Sequence, residues 1–195
     1  MAATASAYGL RPVKMLADRP WNHSLQRYRI ASAYATAIYK GDVVKIIADG
    51  TIEKDTGTST ATPIGVFMGV QYTDPATKWM YFKDAWPAST VASDAYAYVA
   101  SDPDLIFEIQ AGATVAAADL WGNIALVQGA GNATTSVSGV TAGTSVAATA
   151  TLPLRVVGFV DRPGSAVGDA FTDIFVIWNR DVVTHQLRDA DGLTT

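Results

Sequence analysis

The residues able to do chemistry are few and scattered. There are two histidines, His23 and His185, near opposite ends of a 195-residue chain. A metal site gathers several ligands, and general-base catalysis gathers a base, its orienting partner and a nucleophile. Neither histidine has such neighbours in sequence. Asn22-His23-Ser24 lacks a matching acid and an oxyanion loop. Gly164-Ser165-Ala166-Val167-Gly168 has serine one place too early for a nucleophile elbow. Asp189-Ala190-Asp191-Gly192 opens like a calcium loop without the downstream glutamate. Asp102-Pro103-Asp104 brings two carboxylates close but reads as a turn entering a strand. Cysteine is absent, which excludes thiolate chemistry and disulfides. No phosphate-binding or dinucleotide-binding glycine motif occurs. The expectation is a protein that is not an enzyme and holds no cofactor or metal.

One constellation stands out: Trp79, Tyr81, Phe82 and Trp86, with Tyr96 and Tyr98 further on. Residues two apart share a strand face, which pairs Trp79 with Tyr81 and Tyr96 with Tyr98. Such aromatic faces build cores, protein interfaces or sugar platforms. A second group lies in residues 1–25. Tyr8, Leu10, Val13, Met15, Leu16 and Trp21 make this segment too apolar for a solvated tail, while Gly9, Pro12 and Pro20 interrupt regular structure. The segment reads as an extended arm that orders on a neighbour, with Arg11 and Arg19 able to pair with acidic groups there. The alternative is that it folds back on its own domain. Trp79, Tyr81 and Trp86 join the arm's Tyr8, Leu10, Arg11, Val13, Met15, Leu16 and Trp21 as interface candidates.

The elements that position these residues are strands. Alternation begins at residues 27–30. Asp49-Gly50 makes a hairpin turn between residues 43–47 and 51–53. Further strands are expected at residues 64–72, 96–99, 105–109, 152–160 and 171–178. Glycines 65 and 69 hint at a bulge or a close backbone approach. One helix is expected over residues 115–121, capped by Thr114 and stopped at Gly122-Asn123. Residues 129–151 are low-complexity Gly, Ala, Ser, Thr and Val, expected as a flexible loop or a loose hairpin. The fold class is all-β, a single-domain jelly-roll-like sandwich or barrel with one short helix. The domain runs from 26 to 188 and a polar tail from 189 to 195.

Composition narrows the partners. Charged residues make up 16% of the chain and hydrophobic ones 49%, with a net charge of −4. Soluble domains carry about 25% charge, so a low-charge surface suits a chain packed against other proteins. Basic residues do not cluster, against nucleic-acid binding. No apolar run is long enough to span a bilayer, and the first residues lack the pattern of a secretory signal.

Several stretches stand in a telling order: Tyr8-Gly9-Leu10-Arg11-Pro12-Val13, Trp21-Asn22, Arg27-Tyr28-Arg29-Ile30 and Ile38-Tyr39-Lys40-Gly41-Asp42-Val43-Val44. Later come residues 102–110, 152–155 and 159–163. Taken in this order, the pattern resembles capsid cement, or decoration, proteins of podovirus-like tailed bacteriophages. The resemblance implies a jelly-roll-like fold. It also implies a homodimer or homotrimer clamped over joints between major capsid protein subunits on the virion surface, made in the bacterial cytoplasm, with no catalytic residues. The alternatives are another β-structured virion part, from tail or fibre, and a carbohydrate-binding module using the aromatic face.

Overall fold

A computed structural model describes residues 4–179. Its strands, in chain order, begin with β1 (Arg11–Met15), β2 (Arg19–Pro20), β3 (Gln26–Ile30), β4 (Ile38–Tyr39) and β5 (Val43–Ile46). Next come β6 (Thr51–Lys54), β7 (Gly65–Thr73), β8 (Met80–Lys83), β9 (Ala85–Trp86) and β10 (Tyr96–Ala100). The last five are β11 (Leu105–Gln110), β12 (Asn123–Val127), β13 (Thr141–Ala147), β14 (Leu154–Phe159) and β15 (Asp173–Trp178).

β3, β6, β5, β7 and β10 close into a ring. All its pairings are antiparallel except β3–β6, which is parallel with Ile30 opposite Ile52. Closure removes the edges that an open sheet leaves unpaired. The barrel is filled by Ile30, Val44, Ile52, Phe67, Ala97 and Val99, with Trp86 and Tyr72 packed edge to face at 5.5 Å. In β7 an extra residue, Met68, bulges out between the partners of Tyr98 and Val99. The bulge shifts parity, so Phe67, Val70 and Tyr72 all face the barrel core. Gly65 permits the close approach expected of it: a Cβ there would stand 2.5 Å from the Ala100 carbonyl oxygen.

The remaining long strands form a seven-stranded antiparallel sheet in the order β13-β12-β14-β15-β11-β1-β2. Its core of Leu10, Leu105, Phe107, Ile109, Ile124, Leu154, Ile174 and Val176 also takes in Val43, Val66 and Ala100 from barrel strands. One apolar layer thus joins sheet and barrel. The chain is a single all-β domain containing a barrel. The pairing order does not give the two facing four-stranded sheets of a jelly roll.

Three expectations are corrected. The docking arm is integral to the domain over much of its length: β1 pairs with β11, Leu10 is fully buried, and Tyr8 is 8% exposed. Pro12 is tolerated because β1 lies beside the short edge strand β2 and its register slips between Pro12 and Lys14. Residues 129–151 are no flexible loop throughout, since β13 pairs with β12 and buries Val140 and Ala142. Small residues let these backbones meet; a Cβ on Gly129 would clash with the Gly139 carbonyl oxygen. The helix over 115–121 is only a 3₁₀ turn, Ala117–Asp119. Asp119 accepts from the Ala116 N–H at 2.8 Å, and Trp121 is left-handed at φ 68°, which stops helical propagation. The polar tail 189–195 lies outside the described residues.

Candidate assembly surface

The surface is built on the hairpin β7–β8. Asp74 nucleates its turn, its Oδ1 accepting from the N–H groups of Ala76 and Thr77 at 2.8 and 3.0 Å. These bonds to the charged form hold the Asp74 carboxyl below its ordinary pKa. Among the described residues β8 pairs only with β7. Alternation along β8 sends Tyr81 toward the barrel, its ring 6.0 Å from that of Tyr72. It sends Met80 and Phe82 the other way. Trp79, Met80 and Phe82 are 71%, 56% and 68% exposed.

The outward face continues across β7, β10 and β3. Phe82 stands opposite Gln71, Gln71 opposite Tyr96, and Tyr96 opposite Arg29. The Tyr98 hydroxyl donates to Gln71 Oε1 at 2.7 Å, and the Arg27 guanidinium lies 4.5 Å from the Tyr96 ring centroid. A groove of about 360 Å³ runs between Phe82 and Tyr98, lined by Gly69, Leu25 and Met68. A second groove, of about 550 Å³, lies beside Lys83 and Asp84, lined also by Tyr39, Ala85, Pro87 and Ala88.

The expected candidates divide. Trp79 is exposed just before β8, where the ladder's alternation keeps it on the side of the half-buried Tyr81. Tyr96 and Tyr98 also share a face, spanned by Arg27. Trp86 is corrected from interface to core: it is fully buried, its Nε1 donating to the Tyr34 carbonyl at 3.4 Å. Tyr8 and Leu10 are likewise buried, Met15 and Trp21 are half-buried against the core, and Val13 and Leu16 are each 42% exposed on the edge hairpin. Met80 was missed. Trp79-Met80-Tyr81-Phe82 is apolar at both parities, so the pattern does not tell which side faces water.

Titratable groups close on one another. The Tyr8 hydroxyl donates to Asp173 Oδ1 at 2.8 Å and lies 3.1 Å from Glu108 Oε1. Arg162 bridges Glu108 and Asp173 at 2.8 and 2.5 Å, and Arg11 lies over the Tyr8 ring at 4.0 Å. Burial, with the neighbouring carboxylates, pushes the Tyr8 phenol far above its ordinary pKa. Asp42, fully buried, meets Lys54 Nζ at 2.9 Å, the Ser138 hydroxyl at 2.6 Å and the Tyr39 N–H at 2.9 Å. Both networks tie distant segments together. Asp102 accepts from the Asp104 N–H at 2.8 Å, as a turn does. Ser165 is buried, its Oγ accepting from the Asp173 N–H. His23 is exposed and stacks on Trp21 at 4.4 Å; His185, Asp189 and Asp191 lie outside the described residues. Among the described residues no group of three His, Asp or Glu side chains stands in metal-ligating geometry, and no helix is long and apolar enough to cross a membrane. No protein-family model, curated protein or solved structure matches the chain.

Proposed function

We propose that this chain is a structural virion protein of a tailed bacteriophage, bound to the outside of the capsid, where it cements joints between major capsid protein subunits together with further copies of itself. The observation that carries the reading is the exposed apolar group of Met80 and Phe82 on an edge strand with Trp79 just before it. Exposed apolar patches of this kind mark protein contacts, and water-facing aromatics contribute most when a partner buries them. The low charge and the ordered set of stretches resembling cement proteins support it. The carboxylates of the two buried networks already bond to cations and protein donors, a structural rather than a catalytic use. The test is binding of the purified chain to capsids that lack it, measured by co-sedimentation. Saturable binding that persists in moderate salt is expected, because few charges are available to screen. Binding lost at about 0.3 M salt, where the screening length falls below about 8 Å, argues for an electrostatic contact and against this account.

A carbohydrate-binding reading has one observation in its favour, the groove walled by Tyr98 and Phe82. Glycan-array binding that Phe82→Ala abolishes, with no capsid binding, selects it.

A further inference from the structure

Among the described residues, the backbone of β8 is bonded on one side only. The Trp79 carbonyl accepts from the Asp74 N–H at 2.9 Å, and the ladder runs on through Thr73↔Met80, Tyr72↔Tyr81, Gln71↔Phe82 and Val70↔Lys83. Facing residues in an antiparallel ladder alternate between exchanging hydrogen bonds and turning them outward. The Asp74–Trp79 bond therefore assigns the N–H and C=O groups of Tyr81 and Lys83 to β7. It turns those of Met80 and Phe82 away from it. Two contacts fix the same parity. The Thr73 N–H, opposite Met80, goes to Asp94 Oδ1 at 3.1 Å. The Asp84 carbonyl, next in the outward series, accepts from the Lys40 N–H at 3.0 Å. Two donors and two acceptors thus line an edge that no other described strand covers and that carries exposed Met80 and Phe82. Exposed edges are usually blunted by proline, a bulge or an interior lysine. β8 has no proline and no bulge, and its one lysine, Lys83, ends the strand over the Tyr81 ring at 4.8 Å, leaving the edge from Met80 to Phe82 without a charge.

We propose that β8 pairs antiparallel with β8 of a second copy about a two-fold axis at Tyr81, joining two barrels through one continuous sheet. In this register Met80 faces Phe82 of the partner subunit, twice. Outward-turned groups meet outward-turned groups, so all four on each chain are bonded. Trp79 faces Lys83 of the partner subunit, also twice, which suits a cation over an indole ring. It also brings the exposed Trp79 of the partner subunit alongside Lys83, at the mouth of the 550 Å³ groove lined by Tyr39, Ala85 and Pro87. Neighbouring registers fail. A shift by one residue sets outward groups against groups already bonded to β7. Centring on Phe82 calls on the Asp84 carbonyl, which Lys40 occupies. Centring on Met80 calls on Lys78, whose φ of 62° takes it out of the strand. The pairing deepens the self-association in the proposed function but stands on backbone geometry alone, so it can fail without the capsid reading failing.

The test is sedimentation velocity on the full-length chain from about 1 to about 200 µM, a range that spans dissociation constants typical of modest interfaces. A species of twice the 20.5 kDa chain mass is expected. Phe82→Lys and Met80→Glu, each at an exposed position, should each raise the dimer dissociation constant about tenfold or more. The double variant should restore it, because opposite charges then face each other at both 80–82 pairs. Tyr81→Cys, the only cysteine in its chain, should oxidise to an inter-chain disulfide. Facing residues that exchange no hydrogen bonds lie about 4.5 Å apart between Cα atoms, within disulfide reach. A native chain monomeric across the range overturns the proposal. So does a dimer indifferent to the two single variants, or a Tyr81→Cys chain with native circular dichroism that forms no cross-link. If Tyr81→Cys does not fold, the loss and rescue at positions 80 and 82 decide. Capsid co-sedimentation of the Phe82→Lys chain separates the two readings: a monomer that still binds capsids leaves the capsid reading standing.

Discussion

Replacing Tyr8 by phenylalanine removes one oxygen from the network that fastens the N-terminal segment to β11 and β15. The ring stays, so no cavity opens. At pH 7 the loss is a hydrogen bond to the Asp173 carboxylate, 2.8 Å long and buried, and bonds to charged groups contribute about 1.5–3 kcal/mol. The pH dependence is more diagnostic. The folded chain holds the Tyr8 phenol protonated far beyond its ordinary range, chiefly through burial, whereas the unfolded chain releases that proton near pH 10. Above that pH the unfolded state binds fewer protons, so stability falls as pH rises. The contribution of Tyr8 is complete below about pH 10, and about 0.4 kcal/mol of it is gone at pH 10 and about 1.4 kcal/mol at pH 11. Phenylalanine has no such term. Urea denaturation of both chains at pH 7, 9, 10 and 11 isolates it, because other tyrosines and lysines titrate alike in the two. The expected result is a variant less stable by about 1.5–3 kcal/mol at pH 7, with the gap narrowing by about 1.4 kcal/mol between pH 9 and pH 11. A gap below about 0.5 kcal/mol at pH 7, the size of an ordinary surface substitution, or one constant with pH, refutes the buried network.

Leu10→Ala should cost about 2–5 kcal/mol, and deletion of residues 1–20 should abolish the native circular dichroism, since Leu10 is core and β1 pairs with β11; a truncated chain that folds normally contradicts this. Gly9→Ala should cost about 2 kcal/mol or more in thermal denaturation, because φ is +72° and the added methyl would stand 2.5 Å from the Gly41 carbonyl oxygen. Lys54→Met should cost about 3–5 kcal/mol by leaving a buried carboxylate without its cation; a neutral result in urea titration means Asp42 is held sufficiently by Ser138 and the Tyr39 N–H.

Strands with one clean face were legible in the sequence. The run at 105–109 became β11, 64–72 became β7, and Asp49-Gly50 joined β5 to β6. Closure of the barrel was not legible. It depends on the parallel contact of Arg29 and Ile30 with Thr51 and Ile52 across an intervening excursion, and alternation reports faces rather than neighbours. Residues 141–147 were hidden because Thr, Ala, Gly and Ser give no hydrophobic period, although Ala142 is fully buried. Pro12 concealed β1, because proline excludes central strands but not positions beside an edge. Of the candidate surface, aromatic density pointed to the right hairpin. It did not distinguish Phe82, which faces out, from Trp86, which fills the barrel.

The central claim is that the chain is a stoichiometric part of a capsid. It is tested most directly by quantifying it against the major capsid protein in purified phage particles and in tail-free heads. A fixed ratio, equal in both and unchanged after moderate salt washing, is the predicted result. Its absence from heads, with recovery only in tails or in the unassembled soluble fraction, contradicts the account.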